Sequence, residues 1–164
     1  MEINNIEKKY SIVKMLQIAI VKNDPGLIEK RYKKAAKTGY IDEEVHGEYT
    51  EYILDSFNDD TGKFEQQKIL QRSESILDKL LQKNKKNSLV QYLSAKYSFA
   101  VKEYENAVKY ANSAIDIIKK NVVDNLNVSK PLNLIGEIKY VTGDYLTAVN
   151  YFNRLFVGLC CCSH

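Results

Sequence analysis

Apolar residues recur every three to four positions along most of this chain, and no stretch alternates as a strand would. Ile6, Tyr10, Val13, Leu16, Ile20 and Val21 define a first helix, which Lys22-Asn23-Asp24-Pro25 ends. Asp24 is placed to cap a second helix, with Pro25 at its first position, where a missing N–H does no harm. That helix carries Leu27, Ile28, Tyr32, Ala35 and Ala36 and stops at Thr38-Gly39. Asp42 opens a third, striped by Val45, Tyr49, Tyr52, Ile53 and Phe57. After a turn at Asn58-Asp59-Asp60-Thr61-Gly62, a fourth helix puts Ile69, Leu70, Ser73, Ile76, Leu77, Leu80 and Leu81 on one broad face. Ser88 reads as the cap of a fifth helix. Lys102-Glu103 turns into a sixth, from Tyr104 to about Lys120, and Asn121 to Asn127 connect it onward. Ser129 and Pro131 open a seventh helix and Asp144 caps an eighth. The expected fold class is all-α: about eight helices in consecutive antiparallel pairs, a helix-hairpin solenoid with short loops.

The last two pairs share a spacing of small residues. Gly136 and Ala148 have counterparts in Ala95 and Ala107, and Tyr145 has one in Tyr104. The offset is constant, 136 − 95 = 148 − 107 = 41 residues. A small residue midway along one helix lets its neighbour cross closely, and a small residue early in the second helix receives the first in return. The tyrosine just after the turn packs over the hairpin end.

Residues 129–156 resemble the tetratricopeptide repeat through Leu132, Ile135-Gly136, Tyr140, Gly143-Asp144-Tyr145, Ala148 and Phe152. Leu155 departs from the pattern, since a small residue is usual there. A looser copy at residues 88–118 supplies Ala95, Phe99, Tyr104, Ala107 and Ala114. It departs at Gln91 and Ser94, where larger apolar residues are expected, and at Lys102, where the family has a turn glycine. A repeat of this family is about 34 residues long. The longer spacing here is similar to that of Rap-type signalling regulators, sensor-kinase arrays and cell-polarity adaptors. Residues 1–83 read as an N-terminal helical region, possessing at most two degenerate repeats, with Gly62-Lys63-Phe64 laid over Gly143-Asp144-Tyr145. Residues 84–157 hold the two clear repeats, and 158–164 read as an unstructured cysteine-rich tail.

The resemblance implies a protein–protein interaction scaffold whose first helices line a concave groove. Its ligand-facing positions map onto Tyr92, Lys96 and Phe99 in one repeat and Lys130, Asn133, Glu137 and Tyr140 in the next. Aromatic area with Lys and Asn readout suits an extended peptide or a partner helix. Packing within the helix pair is an equal explanation for Phe99 and Tyr140. Leu93 and Leu134 stand where the family's carboxylate clamp needs asparagine, which argues against a chaperone adaptor. Two other readings remain: a regulatory fragment of a signalling regulator, and a scaffold that self-associates through an uncapped last helix ending in Leu155, Phe156, Val157 and Leu159.

Composition adds little to this. The 164 residues are 45% hydrophobic and 27% charged, enough for a real core, and the formal net charge is +3. Acidic and basic residues alternate along most helices, unlike the one-sided basic face of a nucleic-acid binder. Lys30, Arg31, Lys33, Lys34 and Lys37 come nearest to a recognition helix, and Lys83, Lys85 and Lys86 read as a polar loop. No secretory signal and no apolar run of about 18–20 residues is present, so a cytoplasmic, non-membrane location is expected. Asn127-Val128-Ser129 fits a glycosylation sequon that such a location would leave unused.

Candidate chemistry is sparse. Cys160, Cys161 and Cys162 are consecutive, lack zinc-ligand spacing and only faintly resemble a terminal prenylation box. His46, beside Glu43, Glu44 and Glu48, reads as a solvated helix surface, with Asp42 its nearest partner for a weak pair. Laying Gly62 at the sixth position of a calcium loop puts Phe57 first and Lys68 twelfth, neither an oxygen ligand, so that site fails. No phosphate-binding glycine loop occurs. The expectation is a non-enzymatic protein without cofactor or metal.

Overall fold

The computed structural model describes residues 2–37, 43–58, 60, 62–121 and 126–160, with side chains from Ser11 to Leu155. The described residues form eight helices and no strand: α1 (Glu2–Val21), α2 (Pro25–Ala36), α3 (Glu43–Asp55), α4 (Lys63–Lys83), α5 (Ser88–Ala100), α6 (Tyr104–Lys120), α7 (Ser129–Val141) and α8 (Tyr145–Cys160). Two compact units result, Met1–Ile76 and Leu77–His164, so α4 serves the first with its beginning and the second with its end.

Local chemistry accounts for the helix starts. The Asp24 side chain accepts from the Leu27 N–H at 3.0 Å, and Pro25 opens α2. Asp144 accepts from the Thr147 N–H at 3.3 Å to start α8. The Thr147 side chain first, then its N–H and the Lys139 ammonium 3.5 Å away, hold the Asp144 carboxyl below the ordinary carboxylate value. The cap of α5 is Asn87, whose side chain accepts from the Val90 N–H at 3.1 Å, and Ser88 is the first helical residue instead. Amide oxygen reaches the free N–H from one position earlier than the expected hydroxyl. No side chain caps α7; Asn127 accepts from the Ser129 N–H at 2.9 Å ahead of it. The expected ends at Thr38-Gly39 and Asp42 lie outside the described residues, as does most of the 121–127 connector.

In the first unit, α1, α2 and α3 pack on one another around Val13, Leu16, Ala19, Ile28, Tyr49 and Ile53. In the second, α5 pairs with α6, α7 pairs with α8, and α7 lies against both α5 and α6. Its core joins Leu93, Ala95, Ala107, Ala111, Ala114, Ile135 and Ile138. The sequence places small residues at these helix crossings, and there they are. Ala95, Ala107 and Ala114 are fully buried and Ala148 is 1% exposed. A Cβ built on Gly136 would sit 2.5 Å from Phe152 Cε1, so that glycine is what lets the Phe152 ring lie against the α7 backbone. Gln91 and Ser94, which depart from the repeat pattern, are buried and hydrogen-bonded: Ser94 donates to the Val90 carbonyl at 2.9 Å and Gln91 to the Lys85 carbonyl at 2.9 Å.

Three hairpins share one turn. In α7–α8, the Gly143 N–H reaches the Tyr140 carbonyl (3.1 Å) and the Asp144 N–H reaches Lys139 (2.9 Å). In α5–α6, Lys102 reaches Phe99 (2.9 Å) and Glu103 reaches Ser98 (2.8 Å). In α1–α2, Asn23 reaches Ile20 (2.9 Å) and Asp24 reaches Ala19 (3.4 Å). Gly143, Lys102 and Asn23 all take the left-handed backbone, with φ of +84°, +64° and +49°. Helix α4 begins directly after Gly62, at Lys63. The turn that holds Gly62, which the sequence lays over Gly143, falls partly outside the described residues; within the first unit the same hydrogen-bond pattern is found at Asn23, in α1–α2. The expected coil from 158 also needs correction, because α8 continues to Cys160; residues 161–164, with Cys161 and Cys162, lie outside the described residues.

Candidate binding surface

The seven groove positions do not form one set. Tyr92, on the second turn of α5, is brought together with Lys96, one turn on, and with Lys130 at the start of α7. Each ammonium lies 5.8 Å from the centre of the Tyr92 ring. The ring itself is 6% exposed, so its aromatic face is closed to solvent. Asn133 and Glu137 follow Lys130 on the same face of α7, where the Asn133 amide donates to the Glu137 carboxylate at 2.5 Å. The result is a polar row, cationic at Lys96 and Lys130 and anionic at Glu137.

Phe99 and Tyr140 do something else. Phe99 packs on Tyr104 with ring centres 6.0 Å apart, and Tyr140 meets Tyr145 edge-on at 5.4 Å. The pairs are equivalent by the repeat offset, and each closes the tip of its hairpin. Phe99 is half-buried, whereas Tyr140 stays 61% exposed.

A cluster that sequence reasoning missed lies in the first unit. His46 is 8% exposed, not on a solvated surface, and its Nδ1 is hydrogen-bonded to the Tyr32 hydroxyl at 2.8 Å. Asp42, its expected partner, lies outside the described residues. Tyr32 stacks face to face on Tyr49 with centres 3.7 Å apart, and the Arg72 guanidinium caps the stack 4.7 Å from the Tyr49 ring. Arg72 also forms a two-pronged ion pair with Glu29, at 2.9 and 3.1 Å, and the Tyr49 hydroxyl donates to the same carboxylate. Burial acts to raise the Glu29 carboxyl. The Tyr49 and Arg72 hydrogen bonds, with the charges of Arg72 and Lys33, outweigh it and hold the group below its ordinary value. Burial, then the hydrogen bond to Glu29, pushes the Tyr49 hydroxyl far above its usual range. Burial likewise raises Tyr32. This arrangement ties α2, α3 and the middle of α4 together. Every member is engaged by another, which is the condition under which buried polar groups specify packing. Spacings of 14 to 43 residues between partners gave no sequence motif to find it by.

Among the described residues no three His, Cys, Asp or Glu side chains converge as metal ligands, and no helix is long and apolar enough to cross a membrane. No model of a known protein family matches the chain, and no curated protein matches it.

Proposed function

We propose that the chain is a helical-hairpin repeat protein of tetratricopeptide type, its hairpins stacked as a solenoid, acting as a non-enzymatic scaffold that binds an extended peptide or partner helix along α5 and α7. The observation that carries this reading is the convergence of Lys96 and Lys130, from neighbouring first helices, above one buried ring. Two cations that share one ring, with the Asn133–Glu137 pair following Lys130 on α7, favour a ligand bearing carboxylates flanked by a donor. Supporting the repeat reading are the shared turn and the small residues at the helix crossings. Phe99 and Tyr140 act as hairpin-end residues, with Tyr140 adding exposed aromatic area at the edge.

Selection from a displayed peptide library against the intact chain tests this. Enriched peptides carry acidic residues, and Lys96→Ala with Lys130→Ala lowers their affinity at least tenfold. Enriched peptides that bind the double variant as tightly as the parent would refute the groove.

A further inference from the structure

Two exposed faces of the chain are related through its own repeat. On the α5–α6 hairpin, against which α7 packs, Tyr104 and Val108 are half-buried. Their counterparts 41 residues on, Tyr145 and Val149, are 61% and 52% exposed. Tyr104 and Val108 pack against the core that holds Ile135 and Ile138 of α7, whereas the matching positions on the next hairpin are open, and Leu146 beside them is 78% exposed.

The complementary face is on α1. The shared turn aligns Asn23 with Gly143, an offset of 143 − 23 = 120 residues. Ile135 and Ile138 of α7, 0% and 1% exposed, then correspond to Met15 and Ile18 of α1. Met15 and Ile18 are 43% and 52% exposed. The row that α7 buries is the row that α1 presents to solvent.

We propose that the chain assembles head to tail, the Met15–Ile18 row of α1 in one copy seating on the Tyr145–Val149 face of α8 in the next. This contact repeats between molecules the packing of α7 on α6, continuing an interface already present within the second unit. The occupant is a second copy because the same polypeptide carries both halves in matching register. The two patches differ, so the contact is heterologous. The inference rests on the repeat register and not on the peptide groove.

The test is sedimentation equilibrium under reducing conditions of the intact chain, of Ile18→Glu, of Val149→Glu, and of the two variants mixed one to one. Both substitutions are at exposed positions, and circular dichroism confirms that each variant keeps its helicity. The parent's average mass rises above that of the monomer with concentration. Each variant alone stays at the monomer mass. The mixture, which retains one good pair of faces, reaches the dimer mass and stops there. A parent that remains monomeric overturns the proposal. So does a single variant that still associates by itself, which would mean like faces meet like, or a mixture that stays monomeric although the parent assembles. Lys96→Ala with Lys130→Ala leaves the assembly unchanged, so loss of peptide binding and loss of assembly are separate outcomes.

Discussion

Replacing Gly136 by alanine adds one methyl group, and its effect should change sign with the neighbour. A Cβ there meets three atoms of the Phe152 ring, at 2.5, 2.9 and 3.0 Å. The ring is half-buried and must be displaced from the α7 backbone, with an overpacking cost of about 1–3 kcal/mol. Alanine also gains about 1 kcal/mol over glycine within a helix. With the ring present, Gly136→Ala should be destabilising by up to about 2 kcal/mol, the difference of those two terms. With Phe152→Ala in the background the clash is gone, and the same change should stabilise by about 1 kcal/mol. The coupling between the two positions is then about 1–3 kcal/mol. Because the chain has two compact units, the assay should read the second unit by itself. Amide hydrogen exchange at Ile138 and Ala148, compared across the four proteins, reports the opening free energy of α7 and α8. If Gly136→Ala raises protection equally in both backgrounds, glycine is not there to admit Phe152, and the close-approach argument fails.

Other perturbations follow from single residues. Lys102→Gly should stabilise the α5–α6 turn by about 0.5–1 kcal/mol in urea denaturation, because a lysine now holds φ at +64°; Gly143→Ala should cost about 1–2 kcal/mol by the reverse argument. Asn87→Ala should cost about 1 kcal/mol of α5 stability, and Ser88→Ala should leave the cap intact, as thermal melts will distinguish. Ser73→Ala should be neutral or stabilising by up to about 1 kcal/mol, since its buried hydroxyl has no hydrogen-bond partner among the described residues. Glu29 has its carboxyl held low in the folded chain, so its contribution is fully present above the unfolded carboxylate value and lost as pH falls through the lower folded value. Glu29→Gln should therefore flatten the acid limb of the stability profile; an unchanged limb would place the acid-sensitive group elsewhere.

Legibility in the sequence followed the kind of signal each feature leaves. Helices α5 to α8 were readable because apolar period, turn residues and small crossing residues agree with one another. Gly136 and Ala148 mark a crossing that only small side chains permit. The α1–α2 copy was hidden because Leu16 and Ile28 occupy the crossing positions and Asn23 the turn. What the three hairpins share is a backbone hydrogen-bond pattern, and asparagine, lysine and glycine can all adopt it. His46 was misread because helical spacing alone does not tell which way a polar residue faces when a distant tyrosine offers a partner. In the groove, Tyr92, Lys96 and Lys130 do meet, whereas Phe99 and Tyr140 close hairpin tips, since a large residue one turn before the loop packs on the first residue of the next helix.

The most direct test of the shared hairpin register is a nuclear Overhauser spectrum of the isotopically labelled chain. The account predicts strong contacts between each residue's own amide and α protons at both Asn23 and Lys102, as left-handed residues give, together with cross-peaks from the Gly136 α protons to the Phe152 ring. Right-handed backbone at Asn23 or Lys102, or a Phe152 ring remote from Gly136, would contradict it.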